Sequence, residues 1–106
     1  MVSYAEFTKL DIRIGKIKKV ERVEGSEKLY KLIVDVGDHE RTIVAGLAKY
    51  YTPEELENRL VVVLTNLEPK KFFGIESKGM LLAAVDGDSV ALLQPDREVK
   101  PGAKVE

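Results

Sequence analysis

A chain of 106 residues, 44% hydrophobic and 33% charged, has room for one domain with one core and is too apolar for wholesale disorder. It has no cysteine and one histidine, which excludes a disulfide framework, a thiolate metal site and a multi-histidine metal site within one chain. The formal net charge of -1 hides an uneven distribution. From Arg13 to Lys31 seven basic residues stand against three acidic ones, and from Leu32 to Asn58 the balance reverses.

In chain order, Leu10, Ile12 and Ile14 alternate with Asp11 and Arg13, the period of a strand with one buried face. Ile17 falls on the opposite parity, so Gly15 is expected to mark a bulge or bend. Glu24-Gly25-Ser26-Glu27 reads as a connection. A second strand follows through Tyr30, Leu32, Val34 and Val36, and Gly37-Asp38 reverses it into a third strand over Arg41 to Ala45. His39 then falls in an exposed turn.

Thr52-Pro53-Glu54-Glu55 carries the signature of a helix start: threonine as cap, proline at the first position and glutamate three residues after the cap. The helix is expected to end near Asn58. Leu60 to Leu67 reads as a central strand covered on both faces, and its apolar core, Leu60 to Leu64, is too short to cross a bilayer. Glu68 to Lys78 is polar and turn-rich. Met80 to Val85 reads as a further strand, with Asp86-Gly87-Asp88 turning it into Ser89 to Leu93. Pro101-Gly102 marks a late turn.

This element order predicts an all-β fold, a five-stranded Greek-key oligonucleotide-binding (OB) barrel with a short helix between strands 3 and 4. An SH3-like barrel also accommodates five short strands, but the placement of the helix favours the OB barrel. No leader opens the chain, so a cytoplasmic protein with no membrane contact is expected. No nucleophile-base pair or phosphate-cradling glycine loop is present, and Asp86 and Asp88 are better explained as turn residues than as an acid-base pair. The expectation is a protein that is not an enzyme and takes no cofactor or metal.

Between two core strands, Asn66 to Met80 carries Lys70, Lys71, Lys78, Asn66, Ser77, Phe72 and Phe73. Cations for phosphate, amide and hydroxyl groups for bases or sugars, and flat rings for stacking are the equipment of RNA recognition. The bland alternative has Phe72, Phe73 and Ile75 capping the barrel end while the lysines point to water.

Leu10-Asp11-Ile12-Arg13-Ile14-Gly15-Lys16-Ile17, Glu27-Lys28-Leu29-Tyr30, Arg41 to Leu47 and Asn66 to Ala84 resemble the tRNA-binding domain appended to methionyl-tRNA synthetases, also found as free-standing modules. The resemblance implies an OB barrel that grips the outer corner of tRNA by shape. Its implied contacts are Lys28, Arg41, Asn66, Lys70, Lys71, Ser77 and Met80. Lys28, Arg41, Lys70 and Lys71 would meet phosphates, Asn66 and Ser77 would hydrogen-bond, and Met80 would offer a polarisable surface. Where the family commonly has His-Pro, this chain has Glu24-Gly25-Ser26. The resemblance further implies a homodimer, with Tyr4, Phe7 and the last strands at its interface. It points to a separately encoded beta subunit working with a methionyl-tRNA synthetase catalytic chain. A chaperone-like interaction module of the same fold is the alternative.

Overall fold

The computed structural model describes all 106 residues. In chain order the elements are α1 (Tyr4–Phe7), β1 (Ile12–Arg22), β2 (Tyr30–Asp35), β3 (Glu40–Ala45), α2 (Pro53–Leu56), β4 (Leu60–Leu64), β5 (Lys70–Phe72), β6 (Ile75–Ser77), β7 (Met80–Leu81), β8 (Ala83–Asp86) and β9 (Ser89–Leu92). Five of them form a curled antiparallel sheet in the order β3-β2-β1-β4-β7. The hairpins β5–β6 and β8–β9 complete the molecule. This is the expected OB-like barrel with its helix between β3 and β4.

β1 organises the sheet, because its first half pairs with β4 and its second half with β2. Tyr30, Leu32 and Val34 of β2, Ile43 of β3 and Val61 and Val63 of β4 enclose the main core with Ile17 and Leu56. Ile12, Ile14 and Val62 point the other way, into a smaller cluster closed by Val99, Ala103 and Val105 of the C-terminal segment. β4 is therefore covered on both faces, as its unbroken apolar run predicts. It stops at Leu64 rather than Leu67, because Thr65 turns its backbone N–H and its hydroxyl onto the carbonyl of Asp11.

The change of parity along β1 has a different cause from the expected bulge at Gly15. The strand runs regularly through Gly15, and the two parities serve two separate clusters. The bulge lies further on, between Ile17 and Lys19. Gly15 answers to a close approach instead: a Cβ there would sit 2.7 Å from Val34 Cγ1 and 2.9 Å from Val63 Cγ2.

α2 begins as predicted. Thr52 and Glu55 form a reciprocal capping box, and the hydrogen bond from the Thr52 backbone N–H holds the Glu55 carboxyl below the usual carboxylate range. The helix ends at Leu56, two residues early, because Asn58 takes a left-handed conformation and its N–H donates to the Ile17 carbonyl. The expected strand Met80–Val85 divides at Leu82, whose N–H returns to Val62 while its carbonyl accepts from Leu93. β7 thus stays with the main sheet and β8 leaves it to pair with β9. α1 and the hairpin β5–β6 are additional to the predicted elements.

Candidate nucleic-acid interface

The hairpin β5–β6 is pinned to the edge of the barrel by β3. Ser77, buried to 4% exposure, accepts the Val44 N–H at its Oγ at 2.9 Å, and the Lys78 N–H donates to the Thr42 carbonyl at 2.9 Å. Within the hairpin Lys70 pairs with Ser77, Lys71 with Glu76 and Phe72 with Ile75. Successive strand residues alternate faces. The Ser77 face turns to β3, and Lys71 and Glu76 share the other face of the hairpin.

Arg41 stands at the start of β3 and ties three elements together. Its Nη1 donates to the carbonyls of Thr65 and Lys78, and its Nε donates to His39 Nε2 at 3.2 Å. His39 Nδ1 meets the Asp38 carboxylate. The imidazole therefore carries its proton on Nδ1, and that hydrogen bond is the main reason the Asp38 carboxyl lies below its usual range. With Nε and Nη1 engaged, only Nη2 of the five-donor guanidinium is left to reach a ligand.

Beside Arg41 runs a groove of about 590 Å³, bounded by His39 to Thr42, Thr65, Leu67, Pro69, Glu76 and Lys78. Its charges balance, since Arg41 and Lys78 face Glu40 and Glu76. Lys78 and Glu76 form an ion pair at 3.6 Å. The uncommitted cations lie on the hairpin that flanks it, where Lys70 and Lys71 are both exposed. Lys28, also exposed, belongs to the β1–β2 connection and lines a separate depression with Leu29, Gly46, Lys49 and Tyr50.

The structure thus brings Arg41, Lys70, Lys71 and Ser77 to one edge, with Lys28 beyond it. Ser77 differs from its expected role, because its hydroxyl is buried and spent on Val44 and Gly79. Asn66 is also engaged: its amide donates to the Lys9 carbonyl at 2.7 Å and accepts the Asp11 N–H at 2.9 Å, tying the end of β4 to the N-terminal segment. Met80 is 44% exposed and pairs with Leu64 on the outer side of the sheet.

The basic run from Arg13 to Lys31 does not form one patch. Arg13 is tied to Asp11 and the Gly102 carbonyl, Lys19 to Glu21, and Arg22 lies over the Tyr30 ring. Lys16 and Lys18 line a separate groove with Arg59 and Arg97. The bond from Arg41 Nε to His39 Nε2 joins the start of β3 to the turn before it, and the sequence, which places His39 in an exposed turn, carries no signal for it. No helix is long and apolar enough to cross a membrane.

Residues 12–104 match the family described as "Putative tRNA binding domain". The methionine–tRNA ligase of Pyrococcus furiosus is 62% identical over 104 residues, which cover 98% of this chain but 14% of that enzyme. A crystal structure of a MetRS-related protein from Pyrococcus horikoshii superposes with a TM-score of 0.94 at 45% identity, covering 100% of this chain and 98% of that one. A CsaA chaperone protein from Picrophilus torridus superposes at 0.92 and 35% identity, with both chains covered in full. The barrel, its hairpin-flanked edge and a match over nearly the whole length agree, and the chain belongs to the tRNA-binding domain family.

Proposed function

We propose that this chain is a non-catalytic module that grips folded tRNA by shape and phosphate contact, acting in the cytoplasm as the beta subunit or trans-acting tRNA-binding factor of a methionyl-tRNA synthetase. The observation that carries this reading is the pinning of β5–β6 to β3, which sets Lys70 and Lys71 on the same edge as Arg41. Lys28, Arg41, Lys70 and Lys71 would meet phosphates. Met80 adds a polarisable surface. Asn66 and Ser77 serve the site by fixing the loop from which these groups project. The catalytic chain of a synthetase is the partner that the similarity to methionine–tRNA ligases supports.

Glu76 works against this surface, since it faces Lys71 across the hairpin and pairs with Lys78. Replacing Glu76 by glutamine should release Lys78 and remove a negative charge beside Lys71. Exposed pairs are worth about 0.2–1 kcal/mol, so tRNA affinity at low salt should rise about 1.4- to fivefold in a filter-binding assay. Unchanged or weaker binding would place the RNA elsewhere.

We further propose a homodimer. Tyr4 and Val85 are 78% and 73% exposed, and α1 buries none of its residues. Apolar groups of this size left open on α1 and on β8–β9 fit a twofold interface. Light scattering at micromolar concentration should give twice the chain mass, and a monomer mass would contradict the dimer.

The same exposed groups, with the likeness to CsaA chaperone proteins, support a second reading as a protein-interaction module. Two assays on the purified chain separate the readings: retention of bulk tRNA at low salt, and suppression of aggregation of a chemically denatured client. The first reading requires tRNA retention. Client protection without tRNA retention would replace it with the second.

A further inference from the structure

The tip of the hairpin β5–β6 is built against its own backbone preference. Phe73 and Gly74 form its two-residue turn with φ of 50° and 82°. Positive φ at both central residues is the geometry of a type I′ turn, in which asparagine or aspartate ahead of glycine is favoured. A bulky aromatic residue in the left-handed region is a costly outlier. Burial does not compensate for it, since Phe73 is 63% exposed while Phe72 beside it is half-buried.

A Cβ built on Gly25 would lie 3.4 Å from Phe73 Cδ1 and 3.5 Å from Cε1, so one edge of the ring faces the β1–β2 connection at the place a side chain there would occupy. Gly25 itself has φ of 88°. Lys28 lies in the same connection, and Lys70 Nζ stands 5.2 Å from the centre of the Phe72 ring at the base of the hairpin tip. An exposed aromatic ring in a strained turn thus faces the connection that carries Lys28 and caps the hairpin that carries Lys70.

We propose that Phe73 is a stacking platform for one unpaired nucleobase of the bound RNA, with the phosphates on either side of that base falling to Lys28 and Lys70. Strain kept at an exposed position points to a task in binding. Stacking is the interaction an exposed ring gives a base irrespective of its identity. Bases splayed from loops are available for it, whereas bases inside a duplex are not. The inference rests on the tRNA-binding reading and deepens it, because it names the element of the RNA that is touched.

The test uses the full chain with bulk tRNA and with a blunt, fully paired RNA duplex. Phe73→Asn installs the residue the turn prefers, so the variant should melt at or a few degrees above the wild type. Its tRNA affinity should nonetheless fall about 5- to 100-fold, with the salt slope kept and duplex binding unchanged. A purely structural role moves stability and binding together, so opposite movement separates the two. The chain has no tryptophan, so Phe73→Trp introduces a single reporter whose emission should be quenched by saturating tRNA and unaffected by the duplex. Wild-type affinity in Phe73→Asn, or unchanged emission from Phe73→Trp at saturation, overturns this inference alone. A wild-type chain that retains no tRNA overturns the proposed function and this inference together.

Discussion

Arg41→Ala should weaken tRNA binding about tenfold or more at low salt and also lower the stability of the fold. The side chain does two things. Its Nη2 is the group left to meet a phosphate, and loss of one phosphate contact should reduce the slope of log affinity against log salt by about 0.7–0.9. Its Nη1 satisfies the carbonyls of Thr65 and Lys78. Thr65 is buried, and an abandoned buried acceptor costs about 1–3 kcal/mol. Arg41→Lys separates the contributions, because lysine keeps the charge and cannot reproduce the fork to Thr65, Lys78 and His39. That variant should keep the wild-type salt slope while losing affinity and thermal stability. A full salt slope in Arg41→Ala would show that Arg41 is a strut and not a contact.

The second large effect is on folding. Gly15→Ala places a methyl 2.7 Å from Val34 and 2.9 Å from Val63, with the Asp35 carbonyl 3.3 Å away. Both valines are fully buried core residues, so neither can swing aside into solvent. Overpacking of this kind costs about 1–3 kcal/mol, and at about 4–8 °C per kcal/mol for a domain near this size the melting temperature should fall by roughly 5–20 °C. The loss should appear with tRNA absent, which distinguishes it from the losses at Arg41 and Phe73. A melting curve within a degree or two of the wild type would mean that β1 and β2 can separate at this point without cost.

Much of the barrel was legible because its signals are local. Tyr30, Leu32 and Val34 alternate with partly exposed residues, and that period by itself assigns them to the core face. Thr52-Pro53-Glu54-Glu55 carries its cap within four residues. Ser3 and Glu6 form the same capping box at α1, yet no apolar periodic run follows them, so the short helix gave no second signal. The hairpin β5–β6 escaped for a related reason: each strand has three residues, and Phe73-Gly74 is not a pair that announces a type I′ turn. Gly15 looked like a bulge because a sequence cannot show that residues on both parities are buried, each against a different partner.

The candidate site was legible as a list of residue types and less so as a set of roles. Lys70, Lys71 and Arg41 reach one edge. Asn66 and Ser77 have the same donors and acceptors whether they serve RNA or the fold, and only the long-range bonds to Lys9, Asp11 and Val44 decide between these uses. His39 seemed idle because its partner Arg41 acquires a role only when Thr65 and Lys78, far along the chain, come to meet it. Charge was the least legible property, since the fold sets Lys16 and Lys18 in a groove with Arg59 and Arg97 and not with Lys70 and Lys71.

The proposed binding needs a nearly neutral chain to present cations to folded RNA, Arg41, Lys70 and Lys71 from one edge and Lys28 from the depression beyond it. Binding of bulk tRNA to the intact chain, titrated across salt concentration, tests this most directly. With four phosphate contacts, from Lys28, Arg41, Lys70 and Lys71, log affinity should fall against log salt with a slope of roughly -3. A slope near zero, or no retention of tRNA at low salt, would contradict it.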